Sequence, residues 1–287
     1  MRLMETSVVI PAYNEEVTVK ELIEKIFQVM GPETEVLVID DGSEDKTGPL
    51  AESAGARVIR NPYRMGNGAS VKRGIRSARG EVVVLMDADG QHLPQEIPLL
   101  LEKLDKHEMA VGARFNADQA WFRKTANFIF NRMASYVSEV KIYDLTSGFR
   151  AFKRKTALKF LYLLPNTFSY PTTLTLSFIK AAFPVTFVPV KVLPRQAGKS
   201  KISLLNDGSR FLMIIMRIAV FFSPLKVFLP VSAAFFALGL GYYLFTFFAF
   251  HRLTNMSVLL FTTAVVIFML GLIAEQVSSL KMEKIEE

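Results

Sequence analysis

The chain of 287 residues contains no cysteine and a single tryptophan, Trp121. Without cysteine there is no disulfide framework, which fits a reducing compartment. A signal peptide is not expected, because MRLMETSVVIPAY enters a strand pattern at once, with no long apolar region ahead of a cleavage site. The glycine-bearing stretch GNGASVKRG at 66–74 lacks the spacing of both the P-loop and the dinucleotide fingerprint. No groove-reading motif and no basic stripe interleaved with aromatics is present, so the net charge of +7 is not expected to serve nucleic acid. A basic surface against anionic lipid, with cations serving phosphate groups, accounts for it better.

What is present changes character along the chain. Up to about residue 203 charges are spread throughout, whereas between Phe211 and Ala274 they nearly vanish. Val227 to Phe250 carries no formal charge and exceeds the roughly 20 apolar residues that a membrane-spanning helix needs. Met256 to Ala274 is a second charge-free window, about as long as the lower part of the spanning range, and the two read as a helical hairpin joined at His251 to Asn255. Pro230 is tolerable in a membrane helix, and Tyr242 and Tyr243 are too central for an interfacial belt. Residues 204–226 read as an amphipathic segment in the interface, since Arg217 interrupts the apolar runs and Pro224 ends them, with a third spanning helix as the other reading. Arg210, Arg217 and Lys226 before the hairpin and Lys281 and Lys284 after it outweigh Arg252 and His251 in the connection. Both termini are therefore expected on the cytoplasmic side. The organisation expected is a domain at 1–203, the juxtamembrane segment 204–226, a hairpin at 227–274 (227–250 and 256–274) and a cytoplasmic tail at 275–287.

The first half alternates strands (Ser7–Ala12, Glu35–Ile39, Arg57–Arg60, Glu81–Met86) with helical patterns over Val17–Met30, Asp45–Ala54 and Ala69–Ala78. This alternation predicts an α/β fold with a mainly parallel sheet, whose ligands sit beyond the carboxyl ends of the strands. Polar groups gather there: Pro11 to Glu15 after the first strand, Asp40 to Ser43 after the second, and Asp87 and Asp89 after the fourth. Each could be a helix cap. In VVVLMDADGQH, however, two carboxylates two residues apart would share one face of an extended chain and repel unless a cation sits between them.

PAYNEE at 11–16, VIDDGSEDKT at 38–47, NPYRMGNGASVKRGIRSARG at 61–80 and DADGQH at 87–92 resemble glycosyltransferase family 2, inverting enzymes with a GT-A-like nucleotide-sugar-binding fold. DLTSGFRAFKR at 144–154 and RQAGKSKIS at 195–203 resemble its polyprenyl-phosphate branch, which includes the dolichyl-phosphate mannose synthases. The resemblance implies transfer of a hexose from a nucleotide sugar, of the GDP-mannose or UDP-glucose type, to a dolichyl or undecaprenyl phosphate. Mg2+ or Mn2+ would be the cofactor and the lipid bilayer a partner, in the plasma membrane of a prokaryote or the endoplasmic reticulum of a eukaryote. The hairpin would also offer a surface for a homo-oligomer.

Residue by residue, the resemblance implies that Asp40 binds the base or ribose, with Pro11, Tyr13 and Glu15 as the facing wall, and that Asp87, Asp89 and Gln91 hold the metal against the diphosphate. Asp89, Asp144 and Arg195 form the catalytic group, Asp144 orienting substrate or serving as base, with a turn role as a third reading. Arg114, Arg123, Ser147, Arg195 and Lys199 face the acceptor phosphate, Arg114 also the donor, and Ser147 to Arg150 form an acceptor wall. Lys199 and Lys201 would close over the donor. Arg114, Arg123 and Arg195 could each be ordinary surface charges, and Lys72 and Arg73 are either solvated helix charges or diphosphate contacts. Trp121 reads as packing or interfacial. A membrane polysaccharide synthase is the enzyme alternative, but its Gln-x-x-Arg-Trp motif is missing. A non-catalytic nucleotide-sugar-binding scaffold is the third class, against which Asp87 and Asp89 stand.

Overall fold

The computed structural model describes residues 5–114, 131–132, 134–136, 138–166, 169–193 and 220–283. The chain divides into two units, Met1–Ser135 with Val140–Leu205, and Tyr136–Glu139 with Asn206–Glu287.

In the first unit, β1 (Thr6–Ala12), β2 (Glu35–Asp40), β3 (Arg57–Arg60) and β4 (Val82–Leu85) are joined through α1 (Val19–Met30), α2 (Thr47–Ser53) and α3 (Asn67–Ser77). The β-branched runs of β1, β2 and β4 are buried on both faces, as strands covered by helices must be. The rest of the unit comprises α4 (Ile97–Lys103), β5 (Met109–Ala113), β6 (Arg150–Lys153), α5 (Arg154–Phe160), α6 (Tyr170–Lys180) and β7 (Val185–Pro189). The seven strands lie in the order β3-β2-β1-β4-β6-β5-β7. All neighbours pair in parallel except β6, which runs antiparallel to both β4 and β5. The sequence shows no period for β6, because its four residues RAFK are too short and carry charge at both ends.

The strand order reverses between β1 and β4, where ligands of open α/β sheets bind. Residues 13–15 and 87–89 leave the sheet there. One face of α1 (Val19, Leu22, Ile23, Ile26) fixes this edge by burying itself on the sheet, and Thr18 donates its hydroxyl to the Ala88 carbonyl at 2.7 Å.

The opposite end of the sheet is held by Glu35. Its carboxylate accepts bonds from the Ser7 hydroxyl, from Arg57 (Nη2, 2.7 Å) and from the Arg79 amide (2.7 Å). Burial pushes this carboxyl up, but the bonds from Ser7, Arg79 and Arg57 together outweigh it and hold it below the usual glutamate range. The folded pKa lies below the unfolded one, so the stabilisation is complete above about pH 4.3 and is lost as pH falls through the folded value. Glu35→Gln should therefore lower stability at pH 7 by about 1–3 kcal/mol, with the gap to wild type narrowing as pH falls below about 4. Thermal unfolding in detergent across that range checks this.

The second unit is built on α7 (Pro224–Phe250) and α8 (Asn255–Glu283), both long and apolar enough to cross a membrane. Their large apolar side chains point outward, Leu238, Phe245 and Phe248 among them. A surface of that kind suits hydrocarbon rather than water. The helices bond to one another through Ser232 Oγ to the Ala264 carbonyl (2.8 Å) and the Leu225 amide to Glu275 Oε2 (3.0 Å). His251, in the left-handed conformation (φ 52°), ends α7, and the Thr254 hydroxyl caps α8 by accepting the Ser257 amide at 3.3 Å.

The helices run longer than the uncharged windows. α7 starts three residues before Val227, and the segment expected as a tail from residue 275 is helical to Glu283. The carboxylate of Glu275 is accommodated because the first turn of α7 offers it an unsatisfied N–H. Lys226 pairs with Glu139 at 2.5 Å and donates to the Tyr136 carbonyl at 3.2 Å, because that acidic partner is brought within reach by the fold. Arg210, Arg217 and most of segment 204–226 lie outside the described residues.

Candidate active site

The site begins at two loops that are bonded together amide by amide. After β1, the chain turns at Asn14 (φ 55°), whose amide donates to Ser43 Oγ (3.1 Å) and whose side-chain oxygen accepts the Glu44 amide (3.0 Å). The Glu15 amide donates to Thr47 Oγ1 at 2.8 Å. These bonds fix Tyr13 and Glu15, both half-buried, beside the exit of β2.

The two aspartates that end β2 turn inward. Asp40, 1% exposed, accepts the Ser43 amide at 2.8 Å and lies 3.7 Å from Arg60 Nε. Asp41 accepts from Asn61 Nδ2 (2.7 Å) and from the amides of Met65 and Gly66 (2.9 Å each). Between them and the following loop, Gly42 (φ +75°) sits where a Cβ would come within 2.8 Å of the Tyr63 carbonyl carbon. Only glycine fits such a position. The loop so held places the Arg64 guanidinium 4.4 Å over the Tyr13 ring. Asp40 thus holds a loop in this conformation, where the resemblance implied a direct nucleotide contact.

The acidic motif follows β4 as a turn rather than as strand. β4 ends at Leu85, and Asp87 and Asp89, both half-buried, flank the turn at Ala88. Alternation along an extended strand therefore does not relate the two carboxylates; the turn does. Asp89 Oδ1 accepts the Gln91 amide at 3.2 Å. Gln91 pairs with Leu193 in both directions: its carbonyl accepts the Leu193 amide (2.8 Å) and its Nε2 donates to the Leu193 carbonyl (3.4 Å). Through Leu193, the residues before the RQAGKSK stretch are tied to the acidic turn.

Asp87 meets β6. Leu85 pairs with Arg150 in the antiparallel ladder, and two residues beyond, the Asp87 carboxylate lies against Gly148 where a Cβ would overlap it. Gly148→Ala should displace that carboxylate and cut turnover by about a hundredfold, while circular dichroism stays unchanged. Turnover within about twofold of wild type would show that the placement of Asp87 is not critical.

Asp144, 6% exposed, forms a two-pronged pair with Arg114, Nε to Oδ2 at 2.6 Å and Nη2 to Oδ1 at 3.0 Å. The Arg114 fork also reaches Thr146 Oγ1 at 2.7 Å. Burial pushes the Asp144 carboxyl up, yet the bonds and charge of Arg114 with the Arg114 and Thr146 amides outweigh it and hold it below the usual carboxylate range. A carboxylate held that low is a poor base. Asn131 fixes its loop by donating to the Tyr143 carbonyl (2.7 Å) and accepting the Leu145 amide (3.2 Å), one residue to each side of Asp144. His92 stacks on Phe149 with centroids 5.0 Å apart, and burial, with the charge of Arg114, pushes its imidazole down to about 4, so it is neutral.

Several residues serve differently from the sequence expectation. Ser147, Phe149 and Arg150 form no acceptor wall: they are at most 1% exposed, the Ser147 hydroxyl accepts the Phe149 amide (3.3 Å), and β6 draws the segment into the sheet. Lys72 and Arg73 are half-buried, Lys72 donating to the Leu164 carbonyl (3.0 Å) and Arg73 to Asn61 Oδ1 (2.6 Å). The first turn of α3 meets the Asn166 carbonyl, which accepts the Ala69 amide at 3.3 Å. Pro11 is half-buried at the end of β1. Trp121, Arg123, Arg195, Lys199 and Lys201 lie outside the described residues. Asn131 and His92 were missed as site-shaping residues, and Asp41 was noted only as one of the polar group after β2; Asp41 and His92 stood inside recognisable motifs, whereas the partners of Asn131 lie 12 and 14 positions away.

The model of glycosyl transferase family 2 matches residues 7–160, more than half of the chain. The chain belongs to glycosyl transferase family 2. A second model, the GtrB C-terminal hairpin, matches residues 223–280, the span of α7 and most of α8. This glycosyltransferase is 31% identical over 215 residues to the polyprenol monophosphomannose synthase of Mycolicibacterium smegmatis, covering 69% of this chain and 81% of that protein. Among solved structures it is similar to the glucosyl-3-phosphoglycerate synthase of Mycobacterium tuberculosis in complex with phosphoglyceric acid (TM-score 0.61, 21% identity, 75% of this chain and 79% of that one). The same enzyme in complex with Mn2+, UDP and phosphoglyceric acid gives a TM-score of 0.60 at 20% identity, with 75% and 77% covered. At that identity the likeness establishes the shared glycosyltransferase fold.

Proposed function

We propose that this glycosyltransferase moves a hexose from a nucleotide sugar to a polyprenyl phosphate at a membrane surface. The observation that carries the reading is the 31% identity to a polyprenol monophosphomannose synthase, joined to a two-helix apolar hairpin on the same chain. The nucleotide would lie in the crevice between β1 and β4, with Tyr13, Glu15 and the loop fixed by Asp40 and Asp41 as one wall.

Asp87 and Asp89 fit a divalent metal, Mg2+ or Mn2+. Among the described residues no cluster of three or more His, Cys, Asp or Glu comes together, so two carboxylates must share the ion with phosphate oxygens and water, as Mg2+ sites usually do. The Mn2+ in the structural neighbour supports the same choice. Bound there, the ion supplies Lewis-acid stabilisation of the departing diphosphate.

The phosphate of the acceptor attacks the anomeric carbon in line. One C–O bond forms to the lipid phosphate as the bond to the nucleoside diphosphate breaks, and configuration inverts. A phosphate monoester is already anionic near pH 7, its second pKa being about 6, so no strong base is needed. This agrees with Asp144 held ionised by Arg114, a pair that positions substrate and takes up no proton. Both termini would lie on the cytoplasmic side with the nucleotide sugar, from the basic residues flanking the hairpin.

The test is a donor panel: full-length enzyme in vesicles with polyprenyl phosphate, Mn2+ and GDP- or UDP-linked hexoses, the lipids read by mass spectrometry. One donor should yield a lipid phosphate heavier by one hexose. No glycosylated lipid from any donor, alongside sugar polymer in the same mixtures, would favour a polysaccharide synthase instead.

A further inference from the structure

From Leu145 to Asn206 the chain has no Asp or Glu, against ten Lys and Arg. α3 has no acidic residue either. The fold brings part of this one-signed sequence together. Arg154, at the start of α5, donates from Nε to the Ile75 carbonyl (2.9 Å) and from Nη2 to the Arg76 carbonyl (2.8 Å), satisfying groups at the end of α3. Lys72 of α3 donates to the Leu164 carbonyl (3.0 Å), beyond the 3-10 turn Leu161–Leu163 that follows α5. That segment is thus fastened to α3 at both ends.

Its outer side carries Lys155, Leu158, Lys159 and Tyr162, all exposed, at the i, i+3, i+4, i+7 spacing of one helical face. Tyr162 is 58% exposed and Leu158 36%. Among the described residues no ion pair involves Lys155, Lys159 or the exposed Arg76. Glu108, the acid that reaches α5, is taken by Lys153 and by the Thr156 hydroxyl, at 2.7 Å each. Burial and the charge of Arg76 push the Lys72 ammonium below the usual lysine range, so like charges already crowd this surface.

A two-fold contact between copies would set these lysines against their own equivalents. A partner protein would have to bury lysines, which the cores of protein interfaces deplete. A bilayer surface takes both features of the face: headgroup phosphates meet the lysines, and tyrosine with leucine suits the boundary between headgroup and hydrocarbon. The apolar hairpin on the same chain keeps a bilayer within reach of the tethered unit. We propose that Lys155, Leu158, Lys159 and Tyr162, with Arg76 of α3, form a peripheral docking surface for anionic phospholipid headgroups, by which the first unit rests on the membrane. The inference rests on the membrane reading proposed above.

Because the chain has no cysteine, Leu158→Cys in the full-length protein takes a single nitrobenzoxadiazole fluorophore. The labelled protein is placed in vesicles of phosphatidylcholine alone and of phosphatidylcholine mixed with phosphatidylglycerol. In the mixed vesicles the emission should rise and shift to the blue, and the shift should reverse as salt is raised from about 0.05 to 0.5 M and the Debye length contracts. A label at Glu24→Cys should not respond, since α1 packs on the Val8 and Ile10 face of the sheet whereas α3 packs on the Val9 and Ile39 face. Lys155→Glu with Lys159→Glu should abolish the shift, and Lys155→Arg with Lys159→Arg should keep it. Emission alike in the two kinds of vesicle overturns the inference, as does a shift that the glutamate pair retains. A shift in lipid-free detergent that grows with protein concentration means that a second copy covers the face, and overturns it too. Should the glutamate pair fail to fold, the lipid and salt dependence of the Leu158→Cys label decides alone. Transfer is a separate readout: glycosylated lipid formed while the label stays unresponsive sinks the docking surface and leaves the proposed function standing. A blue shift with no glycosylated lipid from any donor does the reverse.

Discussion

Substituting Asp89 by Asn should lower transfer by at least about a hundredfold while leaving the protein as stable as wild type. The side chain is half-buried in a turn, where its Oδ1 accepts the Gln91 amide. Asparagine keeps an oxygen at that atom, so the turn survives and only the charge is lost. That charge is half of what the chain offers a divalent ion at the acidic turn, with Asp87 as the other half. Transfer by wild type should stop in excess chelator and return on adding Mg2+ or Mn2+. A variant that turns over at the wild-type rate, or turnover that chelation leaves intact, would remove the metal from the mechanism.

Asp144→Asn should act on stability first. It leaves Arg114 without its counter-charge at a site where the side chain is 23% exposed, and breaking a buried pair from one side costs about 3–5 kcal/mol. The partial exposure of Arg114 puts the expected loss near the lower end, about 3 kcal/mol, or a fall in melting temperature of roughly 6–12 °C. Adding Arg114→Met to an Asp144→Leu background should recover most of that stability, because the unpaired charge is gone, and should not recover transfer. Were Asp144 a proton acceptor with little structural role, Asp144→Asn would abolish transfer and leave the melting temperature within about 2 °C.

These two substitutions separate residues that looked alike in the sequence. Both aspartates stand in polar, turn-like surroundings, DADG and YDLT, and both invite a catalytic reading. The difference lies in Arg114, which is 30 residues away along the chain and meets Asp144 only because β5 and β6 are neighbours.

The sequence by itself determined the alternation that makes a mainly parallel sheet, the placing of polar residues at the ends of β1, β2 and β4, and the two apolar helices. Each is a local property: burial of a strand on both faces demands a β-branched run, and hydrocarbon excludes charge over the length of a helix. Tertiary structure alone decided the antiparallel insertion of β6, the inward turn of Asp40 and Asp41, the pairing of Asp144 with Arg114 and of Lys226 with Glu139, and the burial of Arg150. Those depend on which segments meet across long separations, and a charged residue's role follows from the opposite charge or the carbonyl that the fold brings to it.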